Sequence, residues 1–337
     1  MAQAYQGMQN KMYLVTGAAG FLGINICRNL LGKKEKVRAL VLAGDKAAKH
    51  IPQGIEIIYG DVLDVDSLKK FFDLPKDQEI IVIHTASIVA LSPDKNQKVY
   101  DVNVTGTLNI IDLCIEKKAK LVYISSTGAI TELAKKQIIS EPQKFEPEKL
   151  VGYYSQTKAM ATMAVFNAVK NKNLNATVIY PSGICGPNDY ASGPFVQFIR
   201  QYCNGEMKSG IEGSFNSVDV RDLAEGVVVA CEKGRKGEGY IMSNCIVSMR
   251  EIFDLISETT GAPRVEKIIS VRMAKIVSFF APKLLTRFQI YNLARNNNFD
   301  CSKAGAELGF KARPFKETMQ DTAEWLKKEG MINGIRS

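Results

Sequence analysis

The sequence predicts an α/β protein: a doubly wound parallel sheet with a smaller, discontinuous C-terminal lobe. Three observations carry this. Short apolar runs near 11–16, 36–42, 55–59, 80–84, 120–125 and 175–180 alternate with segments of helical period, as a parallel sheet covered on both faces requires. A glycine-rich turn, Gly17-Ala18-Ala19-Gly20-Phe21-Leu22-Gly23, separates the first run from the first helix. No internal repeat or low-complexity tract breaks the alternation.

The first run, Lys11 to Thr16, is apolar and bounded by glycine, which is the pattern of a buried strand. Phe21 to Leu31 then carries Leu22, Ile26, Leu30 and Leu31 at helical spacing, with Gly32 as its stop. At this junction Gly17 permits a tight turn and Gly20 lets backbone N–H groups approach a pyrophosphate. Gly23 lets the helix pack closely on the strand. Phe21 and Leu22 open the helix, whose N-terminal dipole favours an anion. The spacing is G-x-x-G-x-x-G, one residue longer between the first two glycines than the dehydrogenase fingerprint. Glycine also marks ordinary turns, so the flanking strand and helix carry the inference.

The fifth run, Lys120 to Ile124, ends in three hydroxyls, Ser125, Ser126 and Thr127. At the carboxyl end of a parallel strand they sit at the edge of a ligand crevice, placed to donate to an oxygen that gains charge. A Ser/Thr turn cap is the alternative reading. The irregular stretch 128–152, with Pro142 and Pro147, has loop chemistry and is expected to border the site. Tyr154 to Lys170 follows as a helix, with Ala159, Met163, Phe166 and Val169 as its core stripe. Tyr154 and Lys158 are four residues apart and project from one face. Bringing a tyrosine from its ordinary pKa towards 7 requires roughly 4 kcal/mol. One ammonium about 4 Å away supplies that order of energy at an effective dielectric near 20. Among the twelve tyrosines only Tyr154 has lysine at the fourth position after it. The pair reads as a general acid/base with its tuning cation, and together with the glycine turn it implies a nicotinamide-dependent oxidoreductase.

Gly239 to Met242 adds a further strand. The expected division is a loose leader, 1–10; a dinucleotide-binding domain, 11–181 plus 217–240; and a substrate lobe, 182–216 plus 241–337.

The ordered motifs resemble the extended short-chain dehydrogenase/reductases, the epimerase/dehydratase-like enzymes. They are the Gly17/Gly20/Gly23 turn, Gly60-Asp61, His84-Thr85-Ala86, Asn103-Val104-Thr105-Gly106-Thr107, Ile124-Ser125-Ser126, and Tyr154 with Lys158. The matches continue through Pro181 to Asp189, Val218 to Asp222, Phe299 to Lys303, Glu307 to Phe310 and Trp325. The resemblance implies a Rossmann-type fold and a catalytic set of Ser126, Tyr154 and Lys158, with Tyr154 and Lys158 also meeting the cofactor. It implies cofactor contacts at Asp61, Val62, Thr85, Ala86, Asn103, Pro181 and Gly183. A homodimer is the assembly it implies.

After the second strand an acid would grip the ribose hydroxyls of NAD, and an arginine would pair with the 2′-phosphate of NADP. Leu42 stands there instead. Asp45 is in reach of a ribose, Lys46 and Lys49 of a phosphate, and the two lysines tip the reading slightly to NADP(H) over NAD(H). The substrate side resembles the dihydroflavonol reductase and 3β-hydroxysteroid dehydrogenase branch. Gly183 stands where sugar-nucleotide members carry asparagine, and no arginine occurs from Ile211 to Val220. Phe195, Phe198, Tyr202, Phe279 and Phe280, with Tyr190, are the expected walls of an apolar pocket. The expected function is hydride transfer between nicotinamide and a carbonyl or secondary alcohol of a fairly apolar substrate. The alternatives are a nucleotide-sugar epimerase/dehydratase and a non-catalytic nicotinamide-binding regulator.

Composition agrees. Apolar residues make up 46% and charged residues 23%, as in an ordinary globular protein. The net charge is +9, but no basic run has interleaved aromatics, so no nucleic-acid partner is expected. Seven cysteines without a C-x-x-C pair and only two histidines exclude a predicted metal site and fit a reduced, cytoplasmic protein. The stretch 268–290 is apolar but interrupted by Arg272, Lys275, Pro282, Lys283 and Arg287, so it reads as amphipathic helices over the substrate pocket, not an integral membrane span. Contact of Phe279 and Phe280 with a membrane surface is the alternative there.

Overall fold

The computed structural model describes residues 10–90, 92–281 and 285–332; most of the expected leader lies outside the described residues. Seven strands form the main sheet: β1 (Lys11–Thr16), β2 (Val37–Val41), β3 (Glu56–Tyr59), β4 (Glu79–His84), β5 (Lys120–Ile124), β6 (Asn175–Pro181) and, after three strands of the second lobe, β10 (Gly239–Met242). Those three are β7 (Gly183–Cys185), β8 (Gly210–Ile211) and β9 (Ser214–Asp219). The sheet order is β10-β6-β5-β4-β1-β2-β3, and every neighbouring pair is parallel. The chain winds outward from β1 in one direction and from β4 in the other. The strand order reverses between these two, and the crevice beyond their carboxyl ends is where such sheets take ligands.

Alternation along each strand feeds two cores. Tyr13 and Val15 of β1 enter one apolar cluster with Ile26, Leu30, Leu223 and Val227, from helices Phe21–Gly32 and Val220–Lys233. Leu14 enters the other, with Ile110, Ile111, Ala161 and Val165 from helices Gly106–Glu116 and Tyr153–Lys172. Each face of the sheet is thereby covered.

The stripe expected on the Tyr154 helix is corrected. Its buried side chains are Ser155, Thr157, Lys158, Ala159, Ala161, Thr162, Val165 and Ala168, and Met163 is 36% exposed. Hydroxyl pairing chooses this face: Thr162 Oγ1 lies 2.7 Å from Ser125 Oγ and donates to Lys158 O. Phe166 and Val169 are only partly buried against the second core.

The second lobe has its own core around Val196, Ile199, Ile252, Phe253, Trp325 and Leu326. Its β7 runs parallel to β9, which pairs antiparallel with β11 (Ile246–Ser248), while β8 pairs with β12 (Ile268–Ile269). The Val218–Asp222 motif works as a clamp. Arg221 pairs with Asp219 and Asp321, and Arg313 donates from Nη2 to Asp222 at 2.6 Å.

A buried histidine ties β1 to β4 and the helical segment beyond. Thr16 Oγ1 is 2.7 Å from His84 Nδ1, and His84 Nε2 is 3.0 Å from Thr107 Oγ1, which donates to Asn103 O. Because the Thr107 proton is committed, Nε2–H donates to that hydroxyl and Nδ1 accepts from Thr16. The ring is therefore neutral. Burial, helped by the Lys158 charge, pushes its pKa from 6.5 down to about 3. Between these values the unfolded chain binds the extra proton, so stability rises with pH there and is lost on acidification. Denaturant titrations should lose about 1.4 kcal/mol per pH unit as pH falls below 6.5, less for His84→Gln. An identical slope in the variant would remove His84 from this account.

Candidate active site

The strand-to-helix turn is shaped by steric contact. Gly17 has φ +65°, and a Cβ there would lie 2.7 Å from Ala86 N. A Cβ on Gly23 would stand 2.2 Å from Gly17 O, closer than any real contact. Gly20 precedes the helix, and its N–H donates to Gly17 O at 2.9 Å. Thr85 Oγ1 donates to Thr16 O at 2.7 Å, holding the turn against the end of β4. The result is an open helix N-terminus at the crevice, with no acidic side chain in its first turn.

The crevice continues as one cleft of about 1370 Å³. Gly17, Gly20, Phe21, Leu22, Gly23, Asp45, Asp61, Val62, Thr85 and Ala86 line one end. Ser126, Tyr154, Lys158, Pro181 and Gly183 line the middle. Asp61 Oδ1 accepts from Leu63 N, and Asp45 Oδ1 accepts from Ala47 N, so each carboxylate is pinned by its own loop. The far end is walled by Phe195, Phe198, Met207, Ile211, Phe215, Ile252, Phe253 and Leu293, with Gln201, Gln289 and Asn292 as polar points.

Tyr154 and Lys158 sit on the first turns of helix Tyr153–Lys172, facing the end of β5. Burial pushes the Tyr154 phenol up to about 12, partly offset by hydrogen bonding with Ser126. The expected depression of this pKa by Lys158 is corrected. Lys158 Nζ donates to Ile124 O at 2.5 Å and stands 4.7 Å from the centre of the Tyr123 ring. Its own pKa is pushed down to about 7 by burial. Ser126 Oγ accepts from Gly128 N and faces the cleft, whereas Ser125 is buried against Thr162. Of the three hydroxyls, Ser125 and Ser126 reach the lining and Thr127 does not.

Other expected residues fall elsewhere. Asn103 is 1% exposed and lies outside the lining, with its amide consumed by protein. Oδ1 accepts from Ser87 Oγ and Ile88 N, while Nδ2 donates to Ile88 O and Thr157 Oγ1. These bonds tie the 87–88 segment to the Tyr154 helix. Lys46 is exposed in the short helix Lys46–His50 that Asp45 caps, outside the lining, as is Lys49. Tyr202 is buried and accepts from Val265 N, and Tyr190 stacks on His50 at 3.6 Å. Phe279 and Phe280 are 67% and 80% exposed and stand outside the described lining of the cleft. The 128–152 stretch borders a separate cavity of about 180 Å³ beside Tyr291 and Arg295, because Ile139 is bridged to Phe299.

The residues missed from sequence are Met249, Ile252 and Phe253 on helix Met249–Thr260, and Gln289, Asn292 and Leu293 on helix Arg287–Ala294. They reach the cleft from far along the chain and carry no local signal. Among the described residues no His, Cys, Asp or Glu cluster has the geometry of a metal site, and no helix is long and apolar enough to cross a membrane.

A model of the NAD dependent epimerase/dehydratase family matches residues 13–244. The chain belongs to this family. Its members, the extended short-chain dehydrogenase/reductases, are nicotinamide-dependent enzymes, as the ordered motifs implied. Among similar proteins is sterol demethylase protein B of Methylococcus capsulatus, 28% identical over 95% of this chain and 99% of the relative. A Synechocystis protein whose name assigns it provisionally to the dihydroflavonol 4-reductases is 27% identical, over 95% of this chain and 96% of its own. The crystal structure of gox2253 superposes with TM-score 0.84 at 27% identity, over 96% of this chain and 99% of that one.

The turn fits a dinucleotide on structural grounds, because a Cβ at Gly17 would collide with Ala86 and one at Gly23 with Gly17 O, and either would break the close strand-to-helix approach that leaves the helix N-terminus open. Gly23→Ala forces Gly17 and the helix apart. It should weaken NADH binding at least about tenfold (about 1.4 kcal/mol) in a fluorescence titration, with the far-ultraviolet spectrum unchanged. Wild-type affinity would remove the turn from the binding site.

Proposed function

We propose that this protein transfers a hydride between nicotinamide and a carbonyl or secondary alcohol of a largely apolar substrate. One observation carries the reading. The far end of the cleft is built from phenylalanine, isoleucine, leucine and methionine, and its described lining contains no lysine or arginine. Among the described residues, the lysines lining the cleft, Lys98 and Lys158, stand outside that end, and no arginine lines it. A nucleotide-sugar diphosphate would enter a wall without a positive partner, which is costly. The sterol named for one relative and the flavonoid chemistry named for another support an apolar substrate.

In this reading the open N–H groups of Phe21, Leu22 and Gly23 hold the pyrophosphate, and Asp61 and Val62 meet the adenine. Lys158 and Tyr154 hold the nicotinamide ribose, and Pro181 and Gly183 wall the ring. Asp45 lines the cleft at the adenosine end where Lys46 and Lys49 do not. Its carboxylate accepts ribose hydroxyls and repels a 2′-phosphate, which supports NAD(H) over the NADP(H) favoured by counting lysines.

When bound, the nicotinamide supplies or takes up the hydride at the substrate carbon. The chain handles the proton. Tyr154, with its pKa near 12, is protonated at neutral pH and is a donor to a carbonyl oxygen. Ser126 orients that oxygen and donates to the charge developing on it. In the reverse direction Tyr154 acts as phenolate and takes the proton of the alcohol, and the hydrogen bond with Ser126 favours that charged form.

Tyr154→Phe should weaken NADH binding no more than about fivefold, the share of one ribose hydrogen bond, and lower kcat at least about a hundredfold, measured on ketone or aldehyde substrates with apolar rings. A near-normal rate would end the acid/base assignment, and UDP-sugar binding in the micromolar range would move the reading to an epimerase. Asp45→Ala should weaken NADH by about tenfold while leaving NADPH unchanged or tighter. Equal losses for both cofactors would refute discrimination by Asp45.

A further inference from the structure

The helix Val271–Phe280 leaves an apolar stripe open. Its fully buried residues are Ala274 and Ser278, whereas Met273, Ile276, Phe279 and Phe280 are exposed, Phe280 at 80%. Their spacing of three, six and seven residues puts them on one side of the helix. Single exposed apolar residues are ordinary, but four in ten residues, ending in two phenylalanines packed edge-to-face at 5.2 Å, form a patch.

Charge along this segment of chain is of one sign only, with Glu212, Glu266 and Glu132 as the nearest carboxylates. From Lys267 to Phe299 the sequence has no aspartate or glutamate. It has Lys267, Arg272, Lys275, Arg287 and Arg295, together with Lys283, which lies outside the described residues. Lys267, Arg272, Lys275 and Arg287 are exposed, and among the described residues none is in an ion pair. The helix that carries the patch is separated from the cleft by one other helix. The helix packs against helix Arg287–Ala294, whose Gln289, Asn292 and Leu293, with Leu285, line the apolar end.

We propose that this face docks on an anionic lipid surface. Phenylalanine and isoleucine side chains beside unpaired lysine and arginine are the composition of a helix lying in the headgroup region. At ten residues, about 15 Å long, the helix is half of what a bilayer core requires, so it lies on the membrane and does not span it. A second copy of the chain is a poorer occupant, because a two-fold contact would set this uncompensated positive charge against itself. Docked this way, the apolar end of the cleft opens towards the lipid. That consequence rests on the proposed apolar substrate, but the docking itself does not.

The test is flotation of the full chain with vesicles of phosphatidylcholine alone and of phosphatidylcholine mixed with phosphatidylglycerol, with NADH binding and sedimentation velocity measured in parallel. The protein should bind the mixed vesicles and be released by salt. Phe279→Ala combined with Phe280→Ala should lower partitioning at least about tenfold. Arg272→Gln and Lys275→Gln should each lower it about fivefold, and all these variants should keep wild-type NADH affinity. Failure of the wild type to bind mixed vesicles overturns the proposal, as does undiminished binding by the double phenylalanine variant. Phenylalanine substitutions that dissociate an oligomer while vesicles bind nothing would give the face to a second copy. Because binding is read without turnover, failure here and failure of the hydride-transfer reading are separate results.

Discussion

The contact between Gly17 O and the bare α-carbon of Gly23 is the constraint on which the rest of the cleft depends. No side chain fits between them, since a Cβ on Gly23 would stand 2.2 Å from that oxygen. The approach seats the first helix directly on β1 and leaves its N-terminus unblocked at the switch point of the sheet. From the same corner a polar relay runs inward. Thr16 meets His84, His84 meets Thr107, Thr107 donates to Asn103 O, and the Asn103 amide donates to Thr157, which donates to Tyr154 O. The glycine-turn end and the Tyr154 end of the cleft are thus held by one continuous set of buried hydrogen bonds. Each is valuable because an unpaired polar group at these depths would be costly.

The electrostatics of Tyr154 and Lys158 follow from that burial. Desolvation disfavours the charged form of both, raising the phenol and lowering the ammonium. A site in this state holds the tyrosine proton ready to give away, and the ammonium is held by the Ile124 carbonyl and the Tyr123 ring. An anionic dinucleotide beside Lys158 favours its charged form, which couples the proton chemistry to the presence of a ligand.

Much of the architecture was legible because parallel strands announce themselves as apolar runs and helices as a second period. The glycine turn and the Tyr154–Lys158 spacing were legible for the same reason: both are local, within eight and five residues of chain. Met163 was misplaced because helical period gives the spacing of a stripe but not which hydroxyls pair beneath it. Lys46 stands outside the cleft lining, since closeness in sequence to a strand end says nothing of which way a capped turn carries its side chains. Asn103, assigned to the ligand, was claimed instead by Ser87, Ile88 and Thr157.

By itself, the sequence determined the doubly wound sheet, the open helix terminus and the pairing of Tyr154 with Lys158 on one helix face, since each depends on a pattern within a few residues. Only the tertiary structure decided the substrate end of the cleft. Its walls come from Phe195, Phe215, Phe253 and Leu293, nearly a hundred residues apart at the extremes, and from which of many aromatic residues face inward. Tyr202 went to the core and Phe280 to the surface, although composition ranks them alike. That choice is made by packing between distant elements, where hydrophobic attraction is non-directional and only shape selects the partner.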